Sequence, residues 1–174
     1  MNRFYFILLL SFFALASSAS LKKDLAQVKA SLKTGKELDK AERIMNDVLA
    51  QPDNRKDVKT WLLLFDVIKK KYDQGNERLY LQQSADTVTM YDLTKKMCLT
   101  LKSIDSVELA NANGDASRLK YRKKHAEALF TYKPNLFFGG TYFMSKKMYD
   151  KAYDFFSLYI DCAQMPIFTG YDIL

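Results

Sequence analysis

Residues 136–143 read Leu-Phe-Phe-Gly-Gly-Thr-Tyr-Phe, and residues 149–156 read Tyr-Asp-Lys-Ala-Tyr-Asp-Phe-Phe. Leu136, Gly140 and Phe143 recur at four- and three-residue steps, and Ala152 and Phe156 at a four-residue step. That is the period of one helix face. Only a short link separates the two segments, so the helices must fold back on each other. Small residues at Gly140 and Ala152 let the two backbones approach. Leu136, Phe143 and Phe156 then fill the space around that contact. The stretch predicts a tight helical hairpin, with one helix from Pro134 to about Lys146 and another over roughly 149–162. Pro134 is expected to break a preceding helix and to occupy the first turn of this one.

Upstream, the same period recurs. Residues 21–34 place Leu21, Leu25, Val28 and Leu32 on one face, and Gly35 stops the helix. Residues 37–50 do the same with Leu38, Ala41, Met45, Val48 and Leu49, ending at Pro52-Asp53-Asn54. Asp57 is a candidate N-cap for a helix over 58–71, with Val58, Trp61, Leu64, Phe65 and Ile68 inward. The polar group Asp73-Gln74-Gly75-Asn76 is expected to end it. Residues 86–104 carry Met90, Leu93, Met97, Leu101 and Ile104; residues 105–115 read as a loop; Asp115 is placed to cap a helix over 116–131. No stretch alternates with the period of a strand.

Paired helices prompt a search for a repeat. The terminal hairpin reads Leu136-x2-Gly139-Gly140-x2-Phe143, then Tyr149 and Ala152-x3-Phe156. Weaker copies are Leu25-x2-Val28 with Leu32, Ala41-x3-Met45 and Pro52, where Lys29 replaces the small glycine, and Trp61-x2-Leu64-Phe65-x2-Ile68. In the second copy Glu77 stands where a small alanine is expected, which places an insertion within 72–86. Over most of residues 21–163 the chain resembles the tetratricopeptide repeat family. The competing reading is an unrelated helical bundle. The resemblance implies an all-α fold, a right-handed solenoid of helix hairpins with an irregular, expanded middle repeat. It also implies a concave groove that holds protein segments or partner domains.

The N-terminus has a separate signature. Arg3 precedes the apolar run Phe4–Phe13, and Ala14–Ala19 supplies small residues. These are the three parts of a secretory signal peptide, with cleavage expected after Ala19. Residues 1–19 are thus read as signal, and 20–174 as the repeat domain. The mature chain is expected to be exported, to the periplasm or cell envelope if bacterial. It holds no further long apolar run and is not expected to span a membrane. Losing Arg3 leaves +6 of the chain's +7 net charge, spread as on a solvated helical surface. After the last helix come Met165, Pro166, Ile167, Phe168, Tyr171, Ile173 and Leu174, without a charged capping helix. The tail folds back as a cap, a partner covers this end, or the chain is cut from a longer array at its C-terminal end; the last is favoured.

The resemblance also points to groove residues. They are Lys23 and Gln27 in the first helix, Lys59, Leu63, Asp66, Lys69 and Lys70 in the third, and Phe137, Phe138, Thr141 and Met144 in the last hairpin. This mixture suits an amphipathic or acidic peptide with apolar anchors. The carboxylate clamp of chaperone-binding members is not expected, because Gln27, Leu63 and Phe138 stand where its asparagine would be. For Phe137 and Phe138 the competing role is packing against helix 116–131.

Arg118, Lys120, Arg122, Lys123, Lys124 and His125 form the densest basic run. It suits either contact with anionic envelope components or a plain exposed face with Leu119, Ala126, Leu129 and Phe130 inward. Export argues against nucleic acid as partner. One His and two Cys fall short of the usual zinc sites, and no nucleophile elbow or phosphate loop is present. His125 reads as a surface residue. No catalysis and no cofactor are expected. Cys98 and Cys162 are read as free buried thiols, with export permitting a disulfide. The alternative function is an envelope glycan-binding protein on the same repeat, using a loop over 72–86 with Tyr72 and Tyr80.

Overall fold

The computed structural model describes residues 19–169. The expected signal segment up to residue 18, and Tyr171, Ile173 and Leu174 of the tail, lie outside the described residues. Among those described, the fold is all-helical, with six α-helices and no strand. We number them α1 (19–34), α2 (Leu38–Ala50), α3 (Val58–Tyr80), α4 (Thr87–Asn111), α5 (Arg122–Ser145) and α6 (Tyr149–Cys162). No described helix is long and apolar enough to cross a membrane.

Helix ends follow local chemistry. Gly35 at φ 67° closes α1, donating its N–H to the Ser31 carbonyl at 2.8 Å. At the end of α2, Asn54 and Arg55 reach back to the carbonyls of Val48 and Leu49 at 2.9 and 2.6 Å. These carbonyls have no partner inside the helix. The Asp57 carboxylate accepts from the backbone N–H groups of Lys59 and Thr60 and starts α3.

Four expectations about helix limits are corrected. The group at 73–76 does not end α3, which runs on to Tyr80. Asp73 pairs with Lys69 one turn back at 2.6 Å, Gln74 donates to the Gly35 carbonyl at 2.8 Å, and Gly75 makes room for Met90. Polar residues here make tertiary contacts inside a helix; the chain turns only at 81–86, where Gln82 takes φ 56°.

Residues 105–111 are likewise helical, as the end of α4. Two of their polar members, Asp105 and Glu108, are buried and paired. Asp105 holds Arg122 through two bonds of 2.7 and 2.8 Å, and Glu108 accepts from the backbone N–H groups of Lys120 and Tyr121. Glu108 thereby caps α5 from another helix. Asp115 caps only a short 3-10 turn, Ala116–Arg118, so no helix begins at 116.

Pro134 does not break α5, which is one helix of 24 residues. Proline removes the N–H that would bond the Phe130 carbonyl. Pro134 faces solvent, so the gap opens to water, while Leu129 and Leu136 on either side share one fully buried face. Burial of both halves in one core outweighs the lost bond.

Each helix packs chiefly on its neighbours in the chain. Alternate helices touch too. Phe65 and Tyr72 of α3 meet His125 and Tyr132 of α5, with ring centroids 5.8 and 5.4 Å apart. Glu42 of α2 bonds Lys96 of α4. Lys95 of α4 bonds Asp154 of α6 at 2.8 Å. One core runs through all six helices, from Val28 through Met45, Ile68 and Met97 to Phe143 and Phe155. The tail turns back on α4 and α5, burying Met165, Ile167 and Phe168.

Candidate functional site

The last hairpin shows why its glycines stand where they do. A Cβ on Gly140 would sit 2.6 to 2.8 Å from the Phe156 ring, and one on Gly139 would sit 2.7 Å from the Phe155 ring. Both distances are inside van der Waals contact, so α5 and α6 approach as only glycine permits. Leu136, Phe143 and Ala152 are fully buried around the contact, and Phe156 is half-buried at its edge.

The predicted groove residues divide into three groups. On α1, Lys23 is exposed and Gln27 half-buried. On α3, Lys59, Leu63, Asp66 and Lys70 follow a four-three-four spacing and share one outward stripe. Between that stripe and α1 lies an open depression of about 310 Å³ lined by Leu25, Lys29, Lys59, Leu63 and Asp66. Partial burial raises the Asp66 carboxyl above its ordinary range, against the pull of Lys124 and Lys69. Lys69 is engaged with Asp73 rather than free in the groove.

On α5, Phe137 and Phe138 are 47% and 55% exposed. They do not pack on a separate helix over 116–131, because that segment and the phenylalanines belong to one helix or its approach. Phe137 leans on α6, its ring centroid 5.7 Å from Phe156 and 5.6 Å from Tyr159. Phe138 stands beside it, with the two ring centroids 6.1 Å apart. Thr141 donates its hydroxyl to the Phe137 carbonyl at 3.1 Å, and the exposed Met144 extends the apolar line.

The surface is wider than the sequence reading placed it. Phe130 was expected inward and is exposed. On α6, Tyr149, Tyr153, Phe156 and Ile160 form a second stripe at four- and three-residue steps, and all but Phe156 are exposed. Contact between Phe137 and Phe156 joins the two stripes into one apolar face. Its signal in the sequence is the crowding of aromatics on several sides of 149–160, more than one helix partner can cover.

The basic run is broken up by the fold. Arg122 is committed to Asp105, and His125 is buried at 4% exposure between Phe65 and a stacked Tyr121, which corrects its placement on the surface. Desolvation, then the nearby Lys124, lowers the His125 pKa and favours the neutral ring. Arg118, Lys120, Lys123 and Lys124 remain exposed.

The densest charge cluster lies elsewhere. Glu42 bonds both Lys71 and Lys96, and Lys71 also reaches Asp39 at 2.7 Å. Burial would raise the Glu42 carboxyl, but the two lysines overcome it and hold it below the usual range. These ion pairs tie α2, α3 and α4 together. Among the described residues, no group of three His, Cys, Asp or Glu side chains is arranged to hold a metal ion. No family model, curated protein or solved structure matches the chain.

Proposed function

We propose that the mature chain is an exported, tetratricopeptide-like scaffold that holds a protein partner and performs no catalysis. The observation that carries this reading is the apolar face of the last hairpin. Phe130, Phe137, Phe138 and Met144 are each about half exposed, beside Tyr153 and Ile160. A surface of this kind without a partner is disfavoured in water, and such patches mark sites of association. The outward stripe of α3 adds Lys59 and Lys70 around Leu63, which suits a partner segment that is apolar and acidic.

The solenoid reading is supported by the pattern of helix neighbours. Three hairpins follow one another, odd helices touch odd, and even touch even, as stacked hairpins require. The hairpins are unequal. Helices α3 and α4 have 23 and 25 residues, and the repeat spacing at 136–156 occupies only the second half of α5. We read this as a repeat family scaffold with an expanded middle.

The glycan-binding alternative relied on a loop over 72–86. Most of that segment is helix, and Tyr72 is buried against Tyr132, which leaves Tyr80 as the exposed ring of the pair. No observation favours that alternative.

A crosslinking pull-down from the envelope fraction tests the proposal. The wild-type chain is expected to retain a discrete partner, and Phe137→Ser/Phe138→Ser to lose it. Full retention by that variant contradicts the apolar face. Full retention by Lys59→Glu/Lys70→Glu contradicts the basic part of the groove.

A further inference from the structure

Cys98 and Cys162 are distant in sequence, but α4 and α6 carry them to one place. Asp92 and Lys95 advance along α4 as their partners Lys151 and Asp154 advance along α6, at 3.4 and 2.8 Å. The two helices therefore run side by side in the same direction. The Tyr91 ring of α4 meets the Phe155 ring of α6, with centroids 6.4 Å apart. Cys98 lies two helical turns beyond Tyr91, and Cys162 two turns beyond Phe155. Parallel helices keep their register over that distance, so the ring contact is followed by a thiol contact. Cys98 and Cys162 are near enough that each thiol shifts the titration of the other. Both are free and buried, at 1% and 0% exposure.

We propose that Cys98 and Cys162 are a site of intramolecular disulfide formation that staples α4 to α6. The oxidant is a disulfide of another molecule, either a small thiol compound or an exchange protein. The Cys162 thiolate attacks one sulfur of that disulfide and releases the first external thiolate. Cys98 then gives up its proton, and its sulfur attacks Cys162, releasing the second. Two cysteine thiols are oxidised and one external disulfide is reduced to two thiols.

The chemistry of the pair supports this order. The hydrogen bond to Cys162, and then burial, keeps the Cys98 thiol protonated. The same bond stabilises a Cys162 thiolate and lowers its pKa, against its own burial. Cys162 is also the last residue of α6, so release of the terminal turn together with the tail that follows it uncovers Cys162 while Cys98 stays in mid-helix. The staple would fix α6, with Phe156 and Tyr159, against the body of the fold.

The full chain, equilibrated with mixtures of reduced and oxidised glutathione, tests the proposal. Samples are quenched with acid, denatured, alkylated and weighed intact. Both thiols are expected to disappear together, with a mass lower by two hydrogens and a peptide map that joins the 98 and 162 segments. Cys98→Ser and Cys162→Ser are expected to give no such species. If either variant fails to fold, the wild-type mass still decides. Two alkylated thiols under excess oxidised glutathione, glutathione adducts at equilibrium, or covalent dimers would each overturn the assignment.

Discussion

Replacing Gly139 by alanine should destabilise the fold, against the usual direction. In a helix interior, Gly→Ala ordinarily adds about 0.5–1 kcal/mol of stability. Here the new methyl would lie 2.7 and 2.8 Å from two Phe155 ring carbons and 3.1 Å from Tyr91. Phe155 is 1% exposed, so its ring cannot swing out into solvent. Overpacking of this kind costs about 1–3 kcal/mol. The net loss is therefore about 0–2.5 kcal/mol, after the propensity gain is set against it. Two other glycines calibrate the reasoning. At Gly140 the clash is with Phe156, which is half-buried and can swing outward, so the loss should be smaller. At Gly75 the neighbour is the flexible Met90 side chain, and alanine should be close to neutral. Urea unfolding followed by far-ultraviolet circular dichroism reads all three as midpoint shifts at unchanged m. The expected order of loss is Gly139, then Gly140, then Gly75. A raised midpoint for Gly139→Ala would refute the close approach of α5 and α6.

Three further perturbations follow from the buried charges. Asp105→Asn should cost about 3–5 kcal/mol, because it leaves the half-buried Arg122 without its bidentate carboxylate; a loss below 1 kcal/mol in urea would contradict that. Glu42 and Asp39 have carboxyl pKa values lowered in the folded chain. Their contribution is present above pH 4.5 and 3.8 and is lost as pH falls through the lower folded values. Glu42→Gln should flatten the acid limb of a stability–pH curve, and an unchanged limb would remove Glu42 from the account. His125 is also lowered, so its contribution is complete above pH 6.5 and declines as pH falls below it. His125→Phe should abolish that slope, and a slope that persists would assign it to another group.

The sequence reading succeeds where apolar spacing is clean, as in α2, whose limits and buried face match the 37–50 expectation closely. It fails where polar residues serve the interior. Asp105 and Glu108 look like loop residues because their partners, Arg122 and the start of α5, are remote in sequence. Gln74 and Gly75 look like a break because their partners, Gly35 and Met90, lie outside α3 and are not visible in its local pattern. Pro134 is a helix breaker by propensity, and continuity of the buried face overrides it. Phe137 and Phe138 were legible as candidates from repeat spacing. Phe130, Tyr153 and Ile160 were not, because an apolar residue on a helix is ordinarily assigned to the core. Whether it is covered depends on what packs there, which local pattern does not encode.

Site-specific photo-crosslinking in the native host tests the central claim most directly. A photoreactive phenylalanine is placed at position 138 on α5, at 63 on α3, or at the exposed Leu99 on α4 as a comparison. The account predicts one discrete heavier adduct from positions 138 and 63, and none from 99. No adduct at 138, or an equal adduct at 99, would contradict a partner-binding face on the last hairpin.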